Sequence, residues 1–218
     1  MSDSLRAVGV ALQAADGGGF ELQGGDSDWL RAVLVSFGYR AHIEGTTLHV
    51  PEADIVRLER AVLAAMAPEA ILFDLDGVLA DIGGRKAIAS VADVQAVAAR
   101  FPIAVVTTCP RRLAESALEA HGFLPFIEVV VGSEERPCKP DPHPVNVALH
   151  QLGKQAAWML GDNPSDVAAA RGAGVVPFAV LPHGIGAESH MDRLRAAGVV
   201  RMVAGVASLL PLLPQRSE

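Results

Sequence analysis

The chain has 218 residues, enough for one large domain or one domain with a small appendage, and a net charge of −7 that repels phosphate-rich polymers and speaks against non-specific nucleic-acid binding. Half of the residues are hydrophobic, few are aromatic and 21 are glycine, a composition suited to a parallel sheet covered by alanine-rich helices. Cys109 and Cys138 show no metal-type spacing, no apolar run is long enough to span a bilayer, and polar Ser2, Asp3 and Ser4 stand where a signal peptide would begin. The expectation is a reduced, cytoplasmic protein with no membrane partner.

Residues 1–19 read as a weak strand or tail that runs into the break Gly17-Gly18-Gly19. Asp26-Ser27-Asp28 precedes Trp29-Leu30-Arg31-Ala32-Val33-Leu34, a capped helix start, and Gly38 ends that helix. Tyr39 to Ile43 and Thr46 to Val50 form a hairpin signal joined through Glu44-Gly45. A helix from about Ala53 to Met66 follows, with Ile55, Leu58, Val62 and Met66 on one face, and Pro68 closes the segment. Residues 1–67 therefore read as a small α+β accessory unit. Its segment Thr47-Leu48-His49-Val50-Pro51-Glu52, with the helix after it, resembles the small C-terminal lobe of pyridoxal-phosphate aminotransferases. That family has an arginine for the substrate carboxylate where His49 stands. Residues 1–69 contain no lysine for a Schiff base, so transaminase activity does not follow.

From residue 68 to 218 strands and helices alternate. Ala70 to Phe73 is a buried strand, followed by Asp74, Asp76 and Gly77. On an extended strand end the two carboxylates share a side and repel unless a cation lies between them, so the stretch predicts a hard metal, Mg²⁺. Gly83-Gly84 marks a turn, and Lys86 to Arg100 reads as a helix. Strand Ile103 to Val106 ends in Thr107-Thr108, and Pro110 opens a helix closed by Gly122. Ile127 to Val131 is a strand, Lys139 lies in the loop after it, and Pro144 to Leu152 is a helix closed by Gly153. Strand Ala157 to Leu160 ends in Gly161-Asp162-Asn163-Pro164-Ser165-Asp166, a helix runs from Val167 to Arg171, and Val175 to Val180 is a strand. A helix at about Ser189 to Ala197, a strand at Val199 to Val203 and a helix from about Val206 complete the chain.

This order predicts an α/β fold, a Rossmann-like parallel sheet with helices on both faces, plus the small N-terminal α+β unit. Ligands bind outside the carboxyl ends of such strands, where Asp74, Asp76, Thr107 and Asp162 stand, with Lys139 in a following loop. Asp74-Leu75-Asp76-Gly77, Val105-Val106-Thr107, Lys139-Pro140-Asp141 and Gly161-Asp162-Asn163-Pro164-Ser165-Asp166 resemble, in order, the four motifs of the haloacid dehalogenase superfamily. The resemblance spans roughly residues 70–181. It implies a Mg²⁺-dependent phosphatase acting on a phosphate monoester through an aspartyl-phosphate. Asp74 would be the nucleophile and Asp76 the general acid/base. Thr107, Thr108 and Lys139 would hold the phosphate. Asp74, the Asp76 backbone carbonyl and Asp162 would hold the metal, and Asp166 would anchor a metal-bound water or Lys139.

Asp76 and Thr107 stand 31 positions apart, Thr107 and Lys139 32, and elements already fill both intervals. Many relatives insert a cap domain at one of these points; here there is no room. The site is expected to be open unless residues 1–67 or a second subunit of a homodimer border it. The expected partner is a small phosphorylated metabolite. Dehalogenation needs neither metal nor a second aspartate, and a phosphomutase needs a cap; the competing reading from another class is a non-catalytic binding or regulatory module. The cysteines read as space-fillers, and His121, His143, His183 and His190 form no cluster and receive no role.

Overall fold

The computed structural model describes residues 3–15, 17–83 and 85–214; Ser2, Gly84 of the expected turn and the last four residues lie outside them. The chain opens with a one-turn helix, α1 (Asp3–Ala7), where a strand or tail was expected. Strands β1 (Ala11–Ala14) and β2 (Phe20–Gln23) follow, then α2 (Ser27–Ser36), β3 (His42–Glu44), β4 (Thr47–Val50) and α3 (Ile55–Met66). The antiparallel sheet has the order β1-β2-β4-β3. Strand β2 was not expected, yet it bonds both neighbours and makes a four-stranded sheet out of the foreseen hairpin.

Alternation sorts this small sheet into two faces. Leu12, Leu22, Leu48 and Ile43 are in register across the four strands and turn toward α2 and α3. Gln13, Glu21, His49 and His42 form the adjacent row, on the opposite face. Both helices start on aspartates: Asp26 accepts from Trp29 N at 3.0 Å and Asp54 from Arg57 N at 2.9 Å.

The second sheet is built from β5 (Ala70–Phe73), then, after a hairpin of β6 (Ala80–Asp81) and β7 (Lys86–Ala87) and helix α4 (Val91–Ala98), β8 (Ile103–Val106). Helix α5 (Arg111–Ala120), β9 (Val129–Val131), α6 (His143–Leu152), β10 (Ala157–Gly161) and α7 (Pro164–Gly172) come next, then β11 (Val176–Val180), α8 (Ala187–Ala197), β12 (Arg201–Val203) and α9 (Val206–Leu209). Its order is β12-β11-β10-β5-β8-β9, parallel throughout. Neighbouring residues divide between two cores. Ile71, Phe73, Ile103, Val105, Trp158 and Leu160 face the side covered by α3, α4, α5 and α9. Ala70, Leu72, Ala104, Val106 and Met159 face α6 and α7.

The segment after Gly83 departs from expectation. Ile88 N and Ala89 N both donate to Leu79 O, at 2.9 and 3.1 Å, which keeps residues 86–89 extended beside the turn instead of helical. The helix starts only after Ser90, whose hydroxyl accepts from Asp93 N.

The N-terminal elements lie on the first core without a break between the sheets. The indole N–H of Trp158 donates to Ala64 O at 2.8 Å and that of Trp29 to Ala65 O at 3.0 Å, while the two rings meet edge to face at 5.5 Å. Glu69, just ahead of β5, accepts from Gln155 N and Ala156 N at the amino ends of the strands. These contacts run to one face and to the amino ends of the sheet; the aspartates stand at the other end. Among the described residues no helix is long and apolar enough to cross a membrane.

Candidate active site

Three neighbouring parallel strands end side by side, and each delivers a polar group. Asp74 follows β5, and its backbone N–H donates to Leu160 O at 2.9 Å, which continues the ladder one residue past the strand. Thr107 follows β8 in the same way, donating to Val131 O at 2.9 Å. Asp162 follows β10, and Asp166 lies in the first turn of α7. Asp74, Thr107, Lys139 and Asp166 are buried, an unusual concentration of polar groups in an interior.

Lys139 ties them together. Its ammonium donates to Val106 O at 2.8 Å and pairs with Asp74 Oδ1 at 2.9 Å and Asp166 Oδ1 at 2.6 Å. Burial works against this charge, but the two carboxylates outweigh it and the Lys139 pKa is raised. Asp166 Oδ2 accepts from Asp162 N at 3.1 Å and Asn163 N at 2.9 Å, so this carboxylate holds the β10–α7 turn and the lysine at once. A Cβ on Gly161 would lie 2.3 Å from Asp166 Cβ, which is why the strand ends on glycine.

Asp74 has two unequal oxygens. Oδ1 receives Leu75 N at 2.8 Å as well as Lys139, whereas Oδ2 has no hydrogen-bond partner among the described residues. Burial, and then the Asp166 charge, push the Asp74 pKa up to about 7 against the pull of Lys139. The Asp162 pKa rises to about 6 for the same two reasons in the same order. Oxygens of Asp74, Asp162 and Asp166 lie within 4.8 Å of one another. Lys139 offsets two of these charges, and Asp162 has no cation within ion-pair distance among the described residues. Clustered carboxylate oxygens of excess negative charge suit a hard divalent ion.

Asp76 sits apart from this buried group. It is exposed, bridges to Ala80, and its Oδ1 accepts from Ile82 N at 2.8 Å, so its carboxylate is fixed at the base of the β6–β7 hairpin. Gly77, at φ +82°, makes the turn; a Cβ there would lie 2.3 Å from Asp162 Oδ2. Thr107 Oγ1 accepts from Cys109 N at 3.1 Å, leaving its hydroxyl hydrogen free to donate, and Thr108 is exposed beside it.

Three contributors escaped the sequence reading. His190, on α8, contacts Asp162 O through Nε2 at 2.7 Å, and Arg193 Nη2 contacts its Nδ1 at 2.9 Å. A guanidinium only donates and a carbonyl only accepts, so the imidazole is the neutral Nε2–H tautomer that ties Asp162 to α8. Asn163 Nδ2 donates to Asp162 Oδ1 at 2.7 Å. Glu134 accepts from Arg111 N with both oxygens, at 3.1 and 3.0 Å, and caps α5 where Pro110 offers no side-chain cap. Its own backbone amide and that of Arg111 hold the Glu134 carboxyl below the usual carboxylate range.

Residues 94–180 match the haloacid dehalogenase-like hydrolase family. The chain is 35% identical over 123 residues to an imidazoleglycerol-phosphate dehydratase of Phytophthora nicotianae, covering 51% of this chain and 27% of that protein. It is 41% identical over 97 residues to a phosphoglycolate phosphatase of Rhodospirillum rubrum, covering 43% and 40%. The chain thus spans well under half the length of these two curated relatives. The crystal structure of a HAD family hydrolase from Deinococcus radiodurans, with bound phosphate and sodium, superposes with a TM-score of 0.55 at 18% identity over 65% of this chain and 93% of that one, and shows the same fold.

Proposed function

We propose that the haloacid dehalogenase-like hydrolase domain of this chain is a Mg²⁺-dependent phosphatase that hydrolyses a phosphate monoester through an aspartyl-phosphate. The observation that carries the reading is Asp74: a buried carboxylate with Oδ1 held by Leu75 N and Lys139 and Oδ2 without a partner, at the mouth of the central strand. One oxygen is fixed and the other is left to attack. The matched family and a relative named phosphoglycolate phosphatase support a small phosphorylated metabolite as substrate.

Asp74, Asp162 and the Asp76 backbone carbonyl would hold the ion, and the all-oxygen set fits Mg²⁺. When bound, the ion offsets the negative charge of the phosphate that otherwise repels a carboxylate. Asp74 Oδ2 forms the bond to phosphorus as the ester oxygen leaves, and Asp76 gives that oxygen its proton. Asp76 then takes a proton from the water that attacks the aspartyl-phosphate, releasing phosphate and restoring Asp74. Thr107, Thr108 and Lys139 serve the equatorial oxygens. Asp166 keeps Lys139 charged and in place.

The test is turnover of p-nitrophenyl phosphate with and without Mg²⁺, in the wild type and in Asp74→Asn. Hydrolysis is expected only with Mg²⁺ and only in the wild type, while the variant keeps its circular dichroism spectrum. Near wild-type turnover in Asp74→Asn would place the nucleophile elsewhere.

A further inference from the structure

We infer that the outward face of the N-terminal sheet is a binding site for a borderline first-row transition-metal ion such as Zn²⁺, with His42, Glu44 and His49 as ligands and Glu21 orienting His49. This site is separate from the aspartate cluster and does not rest on the phosphatase reading.

Register brings the residues together. His42 on β3 pairs directly with His49 on β4, and His49 pairs with Glu21 on β2, so three strands present one row. Glu44 lies two residues beyond His42 and hence on the same face. Only Gly45 and Thr46 separate the β3 and β4 pairing, and Gly45 takes φ +61°, so a two-residue turn fixes this register. The register therefore fixes the backbone positions of the donors, whose side chains turn inward around the ion.

The contacts have the chemistry of a cation site. Glu44 reaches both imidazoles, His42 Nε2 from Oε1 at 3.4 Å and His49 Nε2 from Oε2 at 3.9 Å. The rings stack with centroids 5.3 Å apart and planes 17° from parallel. The other nitrogen of His49, Nδ1, faces Glu21 Oε1 at 3.5 Å, and Glu21 Oε2 is held by Gln13 Nε2 at 2.9 Å. A neutral imidazole has one N–H. Directed to Glu21, it leaves a lone pair on Nε2 facing the Glu44 carboxylate, acceptor against acceptor. A cation between them turns that repulsion into coordination. A carboxylate within ion-pair distance of the far imidazole nitrogen, as Glu21 is of His49 Nδ1 at 3.5 Å, is the kind of partner by which proteins orient metal-binding histidines.

Imidazole nitrogens with one carboxylate select Zn²⁺, Cu²⁺ or Ni²⁺ over Mg²⁺, whereas the aspartate cluster offers oxygen alone. The His42 and Glu44 side chains are 54% and 71% exposed, free to rotate inward around the ion, and His49, at 24%, is the fixed member.

The test is calorimetric titration of the full chain with Zn²⁺, with Asp162→Asn as the variant that disrupts the aspartate cluster. Wild type and Asp162→Asn are expected to bind Zn²⁺ alike. His42→Ala and His49→Ala should each weaken binding by about tenfold or more, and Glu21→Gln by about tenfold. Titration with Co²⁺ should give visible absorption bands that both histidine variants lose. The His42, His49 and Glu21 substitutions lie on the outward row of the small sheet, and circular dichroism checks the fold of every variant. Absence of Zn²⁺ binding to the wild type, or equal binding by the folded histidine variants, overturns the assignment. Loss of Zn²⁺ binding in Asp162→Asn alone would also overturn it, by placing the ion in the aspartate cluster.

Discussion

Lys139 donates to Val106 O at 2.8 Å and forms ion pairs with Asp74 at 2.9 Å and Asp166 at 2.6 Å. Asp162 is left without such an ion pair among the described residues, although it too is crowded by the Asp166 charge. Its folded-state pKa of about 6 exceeds the ordinary value of 3.8, because burial and the Asp166 charge disfavour ionisation. The folded state then binds the proton more tightly than the unfolded chain. The stabilisation is complete below about pH 4 and is lost as pH rises through about 6. Without metal, the wild type should therefore lose stability relative to Asp162→Asn across this window, and Mg²⁺ should restore it. Urea denaturation at pH 4, 5, 6 and 7, with and without Mg²⁺, reads the difference; curves that stay parallel across that range would contradict the repulsion drawn here.

Among the elements, the turn from β5 into the β6–β7 hairpin carries Asp74 and Asp76 and packs against Asp162. Gly77 combines left-handed backbone with close approach to Asp162, so Gly77→Ala meets both a backbone penalty of about 1–2 kcal/mol and a clash with the carboxylate. The expected outcome is a folded variant with weakened Mg²⁺ binding by calorimetry; wild-type affinity would show that Asp162 can shift at no cost. Much of this region was legible in the sequence. The apolar runs of β5, β8 and β10 are bounded by polar residues, so both the strands and their functional ends could be read. The hairpin was hidden because Lys86 to Ala98 keeps an apolar helical pattern, while the bonds that hold residues 88 and 89 extended run to a main-chain carbonyl. β2 was hidden by glycines on both sides and a length of four residues. His190 was illegible for a related reason: its partner is the backbone of Asp162, and side-chain patterns carry no sign of such a contact.

For the whole molecule, the first core runs from Leu5 to Leu213 without a break, so the N-terminal elements are part of the interior that supports β10 and β11. Trp158 and Phe178, at 3% and 1% exposure, pack against Trp29 of α2. Deleting residues 1–67 uncovers both rings and leaves the Trp158 indole without its Ala64 acceptor. The truncated chain should aggregate in size-exclusion chromatography where the full chain elutes as one species. A monodisperse truncated protein would mean that the small sheet is dispensable to the large one.

The two tryptophans of the chain, Trp29 and Trp158, both lie in that seam, each with its indole N–H on a carbonyl of α3. Intrinsic fluorescence is thereby a built-in gauge of how the small sheet rests on the large one. Emission should shift to longer wavelength when the seam opens and admits water. The chemistry at the far ends of the strands is spectroscopically silent in the same channel, so one cuvette can separate loss of docking from loss of the site.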